Sequence, residues 1–318
     1  MILKILHPNL VILSFLILLS GIPPAAAADD IPATELTFLL GGVKRRAILV
    51  NESPSRELRP AVLVLHGGQG SAEQQRKATG FDKIAAAEGF TVIYAEGTSW
   101  GRNFHAWNTG YLQRQQVGEA DDIGYFDTLI ELLVKDHRID PRRIYMTGGS
   151  NGGMMTFVYA VKRPEKLAAV APVVGAMFTF DEKPSVPLPI MMINGTQDNE
   201  VPIRGGYSDN PLVRRAQEAP YQTLEDTVAF WVSANRSQET GYALTEGTMT
   251  TMTYPAMENG AVTISIVDAA GGHGWPGTNP GRQGNTPIMA FKGAEKIWSF
   301  FKNHTRNTAG DGMIAPMR

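Results

Sequence analysis

The chain has 318 residues, with 29 Lys and Arg against 31 Asp and Glu, a formal net charge of −2 and no cysteine. Charges that nearly cancel, with no run of one sign, argue against a nucleic-acid partner or an electrostatic grip on an anionic membrane. The missing thiol excludes a disulfide framework and a lipid-anchored bacterial precursor, so stability must come from an ordinary hydrophobic core.

Residues 1–28 read as a signal peptide: Lys4 and His7, an apolar run from Leu10 to Leu19, then Pro23, Pro24 and an A-x-A cleavage site at Ala26 to Ala28. The apolar run is short for a membrane span, so export and trimming before Asp29 are expected; an uncleaved anchor helix is the alternative. Residues 29–304 are expected to form a single domain and residues 305–318 a disordered tail. From Glu35 to Val50 two apolar runs flank Gly41-Gly42, which predicts an opening hairpin. "AVLVL" (Ala61 to Leu65) and "FTVIYA" are continuous apolar runs of the kind found in strands covered on both faces, with a helix over Phe81 to Glu88 between them. Ile123, Phe126, Ile130 and Leu133 mark one face of a helix, and Glu119, Asp121 and Asp122 sit at its start, where the helix dipole favours negative charge. "RRIYMTG" predicts a strand and "NGGMMTFVYAVKR" a helix; "LAAVAPVV" and "PIMMING" predict two more strands. Arg204 to Pro220, rich in Gly, Pro, Asn and Arg, reads as a loop or lid insertion. A helix from Leu224 to Asn235, a strand "VTISIVDA" and a last helix from Met289 to His304 complete the alternation. Strands buried on both faces and alternating with helices predict an α/β protein with a doubly wound, mostly parallel sheet and helices on both faces.

Gly148-Gly149-Ser150-Asn151-Gly152 lies where "RRIYMTG" gives way to a helix, beyond the carboxyl end of a strand, where doubly wound sheets place their sites. It fits G-x-S-x-G, the sharp turn that exposes a nucleophilic serine, with glycines wherever a side chain would strike the neighbouring strand or helix. A plain strand-to-helix turn and a phosphate-binding loop are the competing readings, and for the latter no lysine follows in the required position. The Asn151 N–H opens the helix, aimed where negative charge would develop on a substrate oxygen. In this turn's usual setting the partners arrive in the order Ser, acid, His. His273, in "DAAGGHGWPG" after a strand and before the last helix, is the candidate base; His304 lies at the frayed end of that helix, and His66, His105 and His137 precede the serine. Asp198 in "INGTQDNEVP" is the candidate acid, with Glu200 and Asp268 as rivals, the latter read as facing solvent. "LVLHGGQGSA" supplies a glycine-rich loop after a strand, whose Gly68 N–H, or alternatively Gln69 N–H, would complete an oxyanion hole with Asn151, while His66 holds the loop.

"RPAVLVLHGGQGSA", "AWNTG", "ADDIGYFDTLI", "DPRRIYMTGGSNGGMM", "INGTQDNEVP" and "GGHGWPG" occur in order from about Arg59 to Phe301. Together they resemble the secreted polyhydroxybutyrate depolymerase-like esterases, a family that includes feruloyl and acetyl-xylan esterases. The resemblance implies an α/β-hydrolase fold and a Ser150, Asp198, His273 triad. It also places Trp107, of the Trp107-Asn108 pair, and Trp275 beside the active site as substrate-binding residues, with core packing the alternative for both. Many members carry cysteines near these segments and this chain has none, so the resemblance does not extend to disulfide-shaped clefts. Neither a polymer-binding domain nor a Ser/Thr-rich linker is evident, which favours soluble esters over crystalline polyester.

The expectation is therefore a secreted, periplasmic or extracellular, serine esterase. It would act through an acyl-enzyme on hydroxyalkanoate oligomers, feruloyl or short-acyl esters. No cofactor, no metal, no nucleic-acid partner and no stable membrane anchor after signal cleavage are expected. A serine peptidase of the prolyl-oligopeptidase kind and a non-catalytic binding protein on the same fold are the alternatives.

Overall fold

The computed structural model of the chain describes residues 31–53, 55–99, 104–112, 117–179, 182–278 and 286–306. The expected signal peptide, residues 1–28, and residues 307–318 of the expected tail lie outside the described residues. At the start of that tail Arg306 is tied down, its N–H donating to the Arg142 carbonyl at 2.9 Å. Among the described residues no helix is long and apolar enough to cross a membrane.

In chain order the strands are β1 (Ala33–Leu40), β2 (Val43–Val50), β3 (Arg59–Leu65), β4 (Thr91–Ala95), β5 (Thr98–Ser99), β6 (His105–Ala106), β7 (Ile139–Gly149), β8 (Ala169–Val173), β9 (Ile190–Gly195), β10 (Tyr242–Glu246), β11 (Met249–Tyr254) and β12 (Thr263–Asp268). The helices are α1 (Ala72–Thr79), α2 (Phe81–Glu88), α3 (Asp122–Asp136), α4 (Asn151–Lys162), α5 (Pro211–Ala216), α6 (Leu224–Ala234) and α7 (Gly293–Phe301). Ten strands form one sheet in the order β1-β2-β4-β3-β7-β8-β9-β12-β11-β10, and β5 and β6 pair separately. Every pair from β4 through β12 is parallel, while β1-β2-β4 at one end and β12-β11-β10 at the other are antiparallel. The mostly parallel, doubly wound sheet is as expected.

Period-two alternation splits the core. Ala61, Leu63 and Leu65 of β3 point to the layer holding α3, α4 and α6, where Phe126, Met155 and Trp231 are buried. Val62 and Val64 point to the opposite layer, with Phe81 of α2 and Ile297 and Phe301 of α7. Each valine or leucine among them contributes about 1.5–3 kcal/mol by leaving water, which is why these strands read as unbroken apolar runs. The Gly41-Gly42 turn has φ of 56° and 82°, left-handed values that glycine adopts without strain.

Some expectations change. Asp121 caps α3 by accepting the Gly124 N–H at 2.8 Å, but Asp122 does not serve the dipole at the surface. Asp122 is buried and bonds Arg45 at 2.6 Å, and the Arg45 guanidinium lies 4.0 Å above the Tyr125 ring. The β10–β11 hairpin and α1 are elements the sequence did not announce: β10 is exposed along its whole length and shows no alternation. The last helix begins at Gly293 and not at Met289, because the Gly293 N–H donates to the Pro276 carbonyl and a side chain there would meet the Trp275 indole at 2.8 Å. The 204–220 insertion carries the short helix α5, capped by the Asn210 side chain.

Candidate active site

The turn at Ser150 joins β7 to α4. Ser150 has φ 55° and ψ −122°, a conformation that costs a residue with a Cβ about 1–3 kcal/mol and persists only where its surroundings enforce it. Enforcement is visible on both sides. The Ser150 N–H donates to the Val173 carbonyl at 3.0 Å, and Met154 N–H donates to the Ser150 carbonyl at 2.9 Å. A Cβ on Gly148 would lie 2.6 Å from the Gly152 backbone, and one on Gly152 would lie 2.5 Å from the His66 carbonyl oxygen. The flanking glycines are thus required for clearance. The hydroxyl makes no capping bond to the helix it opens, which leaves it available for chemistry.

His273 arrives on the loop after β12 and Asp198 on the loop after β9. These strands are hydrogen-bonded neighbours, and the loops stay together beyond them: Gln197 N–H donates to the Gly271 carbonyl at 2.8 Å and Thr196 N–H to that of Asp268 at 3.0 Å. Asp198 Oδ2 accepts from His273 Nδ1 at 2.8 Å, while Asp198 Oδ1 accepts the N–H groups of Glu200 at 2.9 Å and Val201 at 2.7 Å. Both carboxylate oxygens are therefore committed and the acid cannot rotate. Glu200 stands on the other side of the ring, its Oε2 3.5 Å from His273 Nε2, and so cannot orient the imidazole through Nδ1. Asp268, expected to face solvent, is buried and accepts the Ala270 N–H at 3.0 Å, closing the turn after β12. Burial alone would push the His273 pKa down; the charge and hydrogen bond of Asp198, with the charge of Glu200 added, outweigh it and hold the imidazole above its ordinary value.

The glycine-rich loop after β3 lies against the elbow: a Cβ on Gly67 would sit 3.4 Å from that of Ser150. His66 Nε2 accepts the Gly97 N–H at 3.0 Å, which fixes the tautomer with the proton on Nδ1, and Nδ1 donates to the Gly67 carbonyl at 2.7 Å. Burial lowers the His66 pKa to about 4, so it stays neutral in this role. The Gly67 carbonyl also accepts the Gly70 N–H at 3.1 Å. Because the peptide is planar and trans, fixing that carbonyl turns the Gly68 N–H of the same plane to the opposite side. Gln69, at φ 65°, spends its N–H on the His105 carbonyl at 2.8 Å, so of the two candidate donors in this loop it is the one already committed.

Neither tryptophan forms an apolar rim. Trp107 is fully buried: its indole Nε1 donates to the His66 carbonyl at 2.9 Å and its ring packs on His66, Tyr125 and Phe126. Its backbone is held by Asn151, whose Oδ1 accepts the Trp107 N–H at 2.7 Å and whose Nδ2 donates to the Trp107 carbonyl at 3.2 Å. Neighbouring Asn108 donates its N–H to Asp122 at 2.7 Å, anchoring the segment to α3. Trp275, 8% exposed, packs against Phe81 in the core and lies 3.6 Å from the position a Cβ would take on Gly149. The expectation of exposed stacking surface fails for a physical reason: both rings are consumed in holding loops together. Missed in the sequence were the two-point clasp of Asn151 on Trp107 and the place of Glu200 beside Nε2; neither has a spacing signal.

A strained serine after the fifth strand of the main sheet in chain order, with a histidine after its last strand and an acid between, define an α/β-hydrolase fold. The chain belongs to the PHB depolymerase esterase family, whose model matches residues 45–205; the family is one of carboxylic ester hydrolases, and so is this protein. NocK of Nocardia uniformis subsp. tsuyamanensis, whose name assigns it as an esterase, is 30% identical over 265 residues, covering 78% of this chain and 75% of that protein. The bifunctional acetylxylan esterase/xylanase of Neocallimastix patriciarum is 30% identical over 140 residues, 44% of this chain and only 19% of that enzyme. Among solved structures, the acetyl xylan esterase from Aspergillus awamori superposes with a TM-score of 0.59 at 14% identity, over 85% of this chain and 99% of that one, a likeness of fold.

Proposed function

We propose that the protein is a serine esterase in which Ser150, His273 and Asp198 act as a triad and Gly68 and Asn151 supply the oxyanion donors. The observation that carries this reading is the 2.8 Å bond to a doubly anchored Asp198 from Nδ1 of His273, on a loop whose Trp275 lies 3.6 Å from where a Cβ would sit on Gly149, the neighbour of the strained Ser150. With Nδ1–H committed to Asp198, Nε2 is the basic nitrogen. It takes the Ser150 proton as Oγ attacks the ester carbonyl, and the Gly68 and Asn151 N–H groups stabilise the negative oxygen of the tetrahedral intermediate. Collapse expels the alcohol with the proton returned from Nε2; His273 then activates water, which hydrolyses the acyl-enzyme.

The substrates proposed are soluble esters with hydroxyalkanoate, aryl or short-acyl groups. The apolar stretch and A-x-A site at the start of the chain support export from the cytoplasm. The test is a fluorophosphonate probe read by mass spectrometry, beside rates on p-nitrophenyl esters, methyl ferulate, acetylated xylan, hydroxybutyrate oligomers and a peptide amide. The label is expected on Ser150 alone, and Ser150→Ala is expected to lose ester turnover. Unlabelled protein, or a folded Ser150→Ala variant that still hydrolyses the esters, would overturn the mechanism; preference for the amide would favour a peptidase.

A further inference from the structure

Trp107 touches both halves of the proposed oxyanion hole and belongs to neither. Its indole N–H ends on the His66 carbonyl, one residue before the peptide whose N–H is presented by Gly68. Its own N–H and carbonyl are clasped by the side chain of Asn151, the residue whose backbone N–H is the other donor. The two donors come from different parts of the chain, the loop after β3 and the first turn of α4, and among the described residues no backbone hydrogen bond joins Gly68 to Asn151. All of the bridging groups are buried, so water does not compete for these bonds.

We infer that Trp107, clasped by Asn151, is a positioning residue that sets the separation and aim of the two oxyanion donors. The inference rests on the serine-esterase reading and adds to it a residue that touches neither substrate nor reacting atoms. A spacer of this kind acts where the negative oxygen forms, because the tetrahedral oxyanion sits deeper between the donors than the ground-state carbonyl does. Loosening it should therefore reduce turnover more than substrate binding.

Trp107→Phe keeps an aromatic ring in the core and deletes the N–H that reaches His66. Removing an oxyanion donor outright costs about 10²–10³-fold, and displacing one should cost less, so kcat is expected to fall by about ten- to a hundredfold. KM should change by less than about threefold, the pattern of an interaction made only in the transition state. Affinity for a boronic acid, which places a tetrahedral oxyanion mimic in the hole, should weaken in step with kcat/KM. Replacing Trp107 with its benzothiophene isostere, which keeps the bicyclic shape and lacks only the donor, repeats the test if phenylalanine prevents folding. A double-mutant cycle with Asn151→Ala should be strongly non-additive, since the two residues form one brace. Unchanged kcat in the isostere, boronate affinity that does not follow kcat/KM, or additive losses in the cycle would each overturn the inference. A wild-type protein that neither hydrolyses esters nor takes up a fluorophosphonate would instead overturn the esterase reading beneath it.

Discussion

Replacing Asp198 with asparagine exchanges one oxygen for an NH2 group, and the surroundings decide which oxygen it is. The Oδ1 position accepts two main-chain N–H groups, from Glu200 at 2.9 Å and Val201 at 2.7 Å, whereas the Oδ2 position accepts from His273 Nδ1 at 2.8 Å. An amide placed the other way would set its NH2 against two donors, leaving them unsatisfied at about 1–3 kcal/mol each. The amide oxygen therefore stays at Oδ1 and the NH2 points at Nδ1, which must become an acceptor. The imidazole proton then moves to Nε2, where the base is needed, and the ring can no longer receive the Ser150 proton. A wrong tautomer of this kind costs about 10⁴-fold in kcat, or roughly 5–6 kcal/mol of transition-state stabilisation. The assay is initial rate on p-nitrophenyl acetate between pH 6 and 10, with ¹⁵N shifts of His273 to read the tautomer and thermal melting to show an intact fold. A folded Asp198→Asn variant within about tenfold of wild type, or one that keeps its proton on Nδ1, would refute the reasoning. So would the same loss appearing in Glu200→Gln and not here.

The base must be neutral, and His273 is held above its ordinary value of 6.5, so kcat/KM should rise with pH along an acid limb centred above 6.5. Glu200→Gln removes one of the charges that raise it and should shift that limb down; a wild-type limb at or below the ordinary value would contradict the assignment. Gly68→Pro deletes the donor that Gln69 cannot replace and should lower kcat by about 10²–10³-fold in a folded protein, whereas unchanged kcat would return the role to another group. Trp275→Ala should act on stability, by about 3–5 kcal/mol in denaturant titration, because the ring is core. A selective rise of KM on bulky esters at full stability would restore its place in the cleft.

Much of the architecture was legible because it is hydrophobic. The runs at Ala61 to Leu65 and Thr91 to Ala95 are buried on both faces, and such strands carry their identity in composition. Candidates for the proposed triad were legible because the fold fixes the order of its members and glycine clearance marks the turn. The choice between Asp198 and Glu200 was not, since two residues of sequence separate groups that end on opposite nitrogens of one ring. Likewise, Gly68 and Gln69 are adjacent, and only the His105 carbonyl, far along the chain, decides which N–H is spent. Trp107 was misread because a tryptophan beside an asparagine suits a cleft wall or a core brace equally well; its hydrogen bonds to His66 and Asn151 span 41 and 44 residues. The exposed β10 edge left no pattern, for lack of a buried face to impose one.

On the proposed mechanism, the backbone of Ser150, with φ 55° and ψ −122°, sets stability against turnover at a single codon. Glycine would occupy that conformation freely, so Ser150→Gly should raise the melting temperature while ending nucleophilic catalysis. Selection for folding alone would push the position towards glycine; on the proposed mechanism, selection for ester turnover would hold a side chain there. A lineage that lost its substrate would be expected to shed this serine early, before the glycines at 148 and 152, whose crowding persists whether or not the enzyme works.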